Sequence, residues 1–417
     1  MKKSTKALSV GAAVIAALVA LAGCSGGNAP DSSGPEKVVF WGSWSGDQVA
    51  QLDAQTKAFN ASQDKYAVSY VSQELVEQKL LTGIASGNVP DVLLWDRNQT
   101  ALYAPKGALA SVDDLVARDK VKLGDFYEEP LSEMEVGGKL YGLPLLVDNR
   151  SLFYNAKMLA DAGVQPPTTW AELKTAAEKL TVHDASGKLT RSGFAVNDPG
   201  LFNMWLPQAG GELLTADGKN TAYNSPEGLA VLDYWKSLVD GGVYQQGFAD
   251  GTDGFAEGTV AMKLDGPWAL AGLDKVEGLD YGIVSPPAGP GGDTGAITGG
   301  FGLVIPKGAK NVEGAWAFMK WWTTQPQNGI DFAKVSGWIP ANTVAANDSY
   351  FTGNPHYSAF IQTMKYAKVR PNIKGYSDVE GKALVPALQK FMSGEVGAQE
   401  ALKEAQTQGD QILADNR

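Results

Sequence analysis

The sequence predicts an α/β protein of two lobes, each a sheet flanked by helices, with the chain crossing between them more than once. Three observations carry this prediction. Short β-branched and aromatic runs alternate with helical patterns from residue 38 onward, the pattern of strand–helix–strand units. The chain is too long for one ordinary core, even without its N-terminal leader. In YGLPLLVDNRSLFYN (141–155), Asp148, Asn149 and Arg150 stand between two apolar half-strands. Charges in such a place suit a segment that leaves one lobe for the other, with the charges facing a cleft.

The N-terminus reads as a processing signal. Lys2, Lys3 and Lys6 precede an uncharged apolar run over 7–23 that ends in Leu21-Ala22-Gly23-Cys24. The run is a little short for a membrane span of roughly 20 residues. Cys24 directly after Leu-Ala-Gly resembles the lipobox of bacterial lipoproteins, which implies lipidation of Cys24 and attachment to the cell membrane. It is the only cysteine, so no internal disulfide is available. Residues 25–35 are Ser, Gly, Asn, Asp and Pro with one Ala and nothing large to bury, and read as a flexible tether.

The formal charge is −11, and loss of the leader lysines makes it more negative. Nucleic acid binding needs basic patches, so it is excluded as a partner. The two histidines, His183 and His356, lie in polar loop contexts and cannot form the usual zinc sets without cysteines. No metal or other cofactor is expected. From residue 37 onward no G-x-S-x-G elbow is present, and the chain is not expected to be an enzyme.

In order, residues 38–41 form a buried strand, followed by a helix from about Asp47 with Val49, Leu52, Thr56 and Phe59 on one face. A strand over 66–71, a helix over 75–84 and a strand over 92–95 complete a parallel unit. Ligands bind beyond the carboxyl ends of such strands. Those ends carry Trp41, Ser43 and Trp44, and then Trp95, Asp96 and Arg97. Thr169 with Glu172 predicts a capping box, and Ser225-Pro226 a second helix start. Strands are expected at 194–196, 260–264, 281–284 and 301–306, with a glycine-rich second crossing at 289–300. Residues 337–341 read as a loop. Helices are expected at 201–205, 313–322, 358–368, 378–392 and 398–414.

Five stretches then carry a resemblance: YGLPLLVDNRSLFYN (141–155), PPTTWAEL (166–173), GTVAMKLDGPWAL (258–270), GGFGLVIPKGAKNVEGAWAFMKWW (299–322) and GWIPAN (337–342). Together, behind the lipobox, they resemble the extracellular solute-binding proteins of bacterial ABC importers, in particular the maltodextrin-binding group. The resemblance implies the two-lobed periplasmic-binding-protein fold, with hinge crossings near 147–149, 297–299 and 345. Lobe 1 would comprise 37–147 and 298–344, and lobe 2 148–297 and 345–417, after a signal peptide (1–23) and a tether (24–36). It further implies a monomer that captures a di- or oligosaccharide and delivers it to ABC permease subunits.

A sugar offers hydroxyls at its rim and apolar C–H faces. Its site needs flat aromatic platforms and charged hydrogen-bonding groups. Trp268, in Asp265-Gly266-Pro267-Trp268, is the first candidate, by resemblance to a stacking tryptophan. Asp148, Asn149 and Arg150 follow from the hinge segment, and Ser43, Trp44, Trp95 and Asp96 from the strand ends. Trp205, Trp338 and Arg370 are added from their loops and helix ends, and Gly299 and Gly300 as backbone donors implied by the resemblance. Trp41 is read as partly core. Arg97 is expected to pair with Asp96. Trp170, Trp235, Trp316, Trp321 and Trp322 fall in helical stripes and are read as core. Two other ligand readings remain open at this stage: a glycerol phosphate ester held by Arg150 and Arg370, and a glycoside hydrolase using Asp96, Asp148 or Asp265.

Overall fold

The computed structural model describes residues 34–417; Cys24 and the tether up to residue 33 lie outside the described residues. A five-stranded sheet is built in the order Tyr66–Ser72, Glu36–Gly42, Val92–Asp96, Phe301–Val304, Gly142–Pro144. The first three strands are parallel. Helices Asp47–Ala61 and Val76–Ser86 connect them, as parallel pairing requires. Val92, Leu93, Leu94 and Trp95 are all buried, because a central parallel strand is covered on both faces. Phe301–Val304 arrives from far along the chain and runs antiparallel to both of its neighbours.

A second sheet, Met262–Asp265, Ser151–Asn155 and Tyr281–Val284, is antiparallel throughout. Its strands are joined differently from those of the first sheet. The connection from Asp265 to Tyr281 holds only two short helical turns, so it does not form a crossover unit. Each sheet has its own core. Phe40, Trp95, Phe318 and Trp322 pack with the first, and Trp170, Trp205, Trp235 and Leu388 with the second.

The segments between the sheets lie side by side. Leu146–Val147 pairs with Ile339–Pro340. Asp148 pairs with Gly299 through both backbone bonds, at 3.3 and 3.1 Å. Ile297 in turn pairs with Lys368.

Several local expectations need correction. Residues 194–196 form no strand; Ala195 N–H donates to the Met262 carbonyl at 3.1 Å, and no longer ladder forms. The helix Pro326–Ser336 is absent from the sequence reading. Its apolar residues are few, and its face is decided by packing on Pro340 and Ala345. Ile339–Pro340, read as loop, is a short strand. The helix expected over 378–392 is interrupted by a π-helical turn, Val379–Leu384. The capping box is displaced by one residue: Thr169 accepts from Glu172 N–H at 3.2 Å, but the Glu172 carboxylate accepts from Thr168, not from Thr169. Ser225 caps as expected, accepting from Gly228 N–H at 3.2 Å.

Candidate functional site

A cavity of about 340 Å³ lies between the two sheets, lined by residues from both sides of the crossing segments. One wall is aromatic. The rings of Trp268 and Trp338 stand 5.0 Å apart at 40°. Trp268 is aimed by the turn Gly266-Pro267. A Cβ at position 266 would fall 2.1 Å from the Trp268 ring, so only glycine lets the backbone pass there. Trp338 follows Gly337, whose positive φ of 78° ends the helix Pro326–Ser336. Behind Trp338 lies Trp44, stacked at 5.6 Å and 25°, and Phe332 stacks on Trp44 in turn at 6.2 Å. Phe301 meets Trp338 edge-on at 5.6 Å. The platform is therefore held rigid from the back.

Much of the remaining lining is charged. Arg150 donates to the Asp148 carboxylate at 2.8 Å, and its guanidinium lies 4.3 Å over the Trp268 ring. Arg370 stands between Asp96 at 3.4 Å and Glu380 at 3.6 Å. Glu380 sits on the π-helical turn and accepts from Asn203 at 2.6 Å, while Tyr376 donates to Asn203 at 3.4 Å. Such turns recur at functional sites. Burial raises the Glu380 carboxyl above its ordinary range. Burial also works against the Arg370 cation, but Asp96, Glu380, Glu133 and Asp148 outweigh it and hold the guanidinium charged.

Below the cavity floor Arg97 is fully buried. It bonds Glu133 at 2.9 Å and donates to the carbonyls of Leu146, Gly299 and Phe301. One guanidinium thus ties two crossing segments together. Its expected pairing with Asp96 does not occur. The strand ends at Asp96, which reaches the cavity, and Arg97 opens the 3-10 turn Arg97–Gln99 and turns under it.

Of the sequence candidates, Asp96, Asp148, Arg150, Trp268, Gly299, Gly300, Trp338 and Arg370 line this one cavity. The others do not. Trp95 is buried under the strand, donating to Thr100 at 3.3 Å and packed edge-on against Tyr103. Trp205 is core, beside Trp170 at 5.0 Å. Asn149 is buried with its amide donated to the Phe360 carbonyl at 3.0 Å. Trp44 backs the platform without lining the cavity, and Ser43 is exposed outside it. The Gly299 amide is already committed to the Asp148 carbonyl. Sequence reasoning missed Asp198, Asn203 and Glu380. The one available signal was Gly381 inside a helical stripe, next to Glu380.

Among the described residues no group of three His, Cys, Asp or Glu side chains is disposed to hold a metal ion, and no helix is long and apolar enough to cross a membrane.

Residues 54–359 match the family described as bacterial extracellular solute-binding protein. The chain is 30% identical to the diacetylchitobiose binding protein DasA of Streptomyces coelicolor, over 81% of this chain and 78% of that one. It is 27% identical to the maltooligosaccharide ABC transporter solute-binding lipoprotein of Streptococcus pneumoniae, over 79% and 78%. Among solved structures it superposes on the GacH receptor of Streptomyces glaucescens, known unliganded and with acarbose. The TM-score is 0.82 at 25% identity, over 92% of this chain and 100% of that one. These relatives are binding proteins and share the two-lobed architecture. The chain belongs to the bacterial extracellular solute-binding proteins.

Proposed function

We propose that this chain captures a di- or oligosaccharide in the cleft between its lobes and delivers it to the permease of an ABC importer. The observation that carries this reading is the pairing of two tryptophan faces, Trp268 and Trp338, with carboxylates and guanidiniums around one cavity. Aromatic faces suit the C–H side of a sugar ring, and charged groups suit its hydroxyls. The binding of acarbose by the GacH receptor and the names of the sugar-binding relatives support the same ligand class. The lobes are 37–147 with 298–344, and 148–297 with 345–417. The membership of the two sheets supports this division. No bond is broken, and the protein acts as a monomer. It is held at the outer face of the membrane by a lipid on Cys24, a reading supported by the Leu-Ala-Gly-Cys motif and by the lipoprotein name of the pneumococcal relative.

A phosphate ester fits this cavity poorly. Asp96, Asp148, Asp198 and Glu380 face two guanidiniums that are already paired with carboxylates. Calorimetry of the protein against a panel of neutral saccharides and sugar phosphates tests the reading. Binding of a neutral saccharide is the expected result. Binding of a phosphate ester alone would overturn the ligand class.

A further inference from the structure

A second cavity, of about 350 Å³, lies against the first. Both cavities are at the lower end of the ~300–1,000 Å³ typical of ligand pockets. They share three lining residues, Arg150, Asp198 and Trp268. These three therefore form the partition between the chambers. Within it, one face of the Trp268 ring is covered by the Arg150 guanidinium at 4.3 Å. That face is apolar area of the kind a sugar ring would use.

The second chamber is built from polar and aromatic groups. Lys263 is held by Asp265 at 2.8 Å and Asp253 at 3.2 Å, with its ammonium 5.3 Å from the Phe255 ring. Ala249 lines the same chamber with a positive φ of 62°, a strained conformation for a residue with a Cβ.

Arg150 is held on Trp268 by two modest interactions, a cation–π contact and one partly exposed ion pair to Asp148. Its side chain is long, flexible and 29% exposed, so solvent can receive it. Displacement would bare the Trp268 face and join the chambers along it.

We propose that Arg150 selects ligand length: seated on Trp268 it limits the site to a short saccharide, and displaced it admits a longer one into the chamber of Lys263 and Phe255. This rests on the saccharide reading above and deepens it.

The test is calorimetry of the full chain against a ladder from maltose to maltotetraose, and a parallel ladder of β-mannan oligosaccharides. Arg150→Met should raise the affinity for the longest member relative to the shortest by about tenfold, the change that one charge-assisted hydrogen bond corresponds to. A second variant approaches from the other side. Asn197 is exposed, lines the second chamber and makes no side-chain hydrogen bond among the described residues. Asn197→Trp should fill the chamber and weaken long members against short ones. Equal changes along the ladder in both variants would overturn the proposal while leaving the saccharide site standing. Failure of the wild-type protein to bind any saccharide, in these ladders or in the wider panel above, would overturn both readings.

Discussion

Arg97 and Glu133 pair at 2.9 Å with both side chains closed off from solvent, and the same guanidinium holds the carbonyls of Leu146 and Gly299. A buried pair of this kind adds little net stability, yet breaking it leaves an uncompensated charge. Here the loss would also take a donor from the carbonyls of Leu146, Gly299 and Phe301, of which Gly299 and Phe301 keep backbone donors in Asp148 and Leu145. Arg97→Met should therefore destabilise the protein by about 3–5 kcal/mol. Glu133→Gln, which keeps a hydrogen-bonding group, should cost less. Denaturant unfolding of the two variants checks the order.

The Glu133 carboxyl has a pH signature. Burial raises it from the ordinary 4.5 to about 6, against the opposing pull of Arg97 and Arg370. The folded state thus holds this proton more tightly than the unfolded chain does. Stability from this group is present in full below about 4.5. It falls as pH rises towards about 6 and is constant above that. The difference corresponds to about 2 kcal/mol. In Glu133→Gln this part of the pH dependence should vanish, read as thermal midpoints across that window.

The two adjacent glycines of the second crossing should behave differently. Gly300 has a positive φ of 118°, and a Cβ there would sit 2.3 Å from the Leu146 carbonyl oxygen. Gly300→Ala should lower stability by about 1–3 kcal/mol. At Gly299 an added Cβ would meet the Asp148 carboxylate at 3.2 Å and the Arg370 guanidinium at 3.6 Å, both side chains of the cavity lining. Gly299→Ala should alter saccharide affinity more than the unfolding midpoint.

Two tryptophans named together as ligand candidates should separate cleanly. Trp268→Ala removes a half-buried platform of the cavity and should weaken saccharide binding more than it lowers stability. Trp95→Ala empties a core site and should cost about 3–5 kcal/mol of stability. Calorimetry and thermal unfolding of the pair would show opposite patterns.

Asp148 accepts from Arg150 and lines the cavity. If it also holds a sugar hydroxyl, Asp148→Ala should weaken binding by about 1.5–3 kcal/mol. Unchanged affinity would assign Asp148 to Arg150 alone.

Much of the scaffold was legible in the order of residues. The β-branched runs at 38–41 and 92–95, the Ser225-Pro226 helix start and the charged break at 148–150 are local patterns. Local sterics and burial decide them, so they can be read without contacts. Local patterns of this kind brought Asp148, Asp96 and Arg370 into consideration, and the family resemblance brought Trp268. What could not be read was direction. Trp95 and Asp96 are neighbours, but strand alternation sends one into the core and the other into the cavity. Trp44 and Trp338 looked alike, and their stacking order alone made one the support and the other the platform. Glu380 reaches Arg370 only because a π-helical turn re-aims it. The sequence by itself determined the residue types and the charged and glycine-rich breaks at 148–150 and 289–300, because these follow from short-range chemistry. Only the tertiary structure decided which of those side chains share one cavity, because segments far apart in the chain are brought together there by burial that no local pattern encodes.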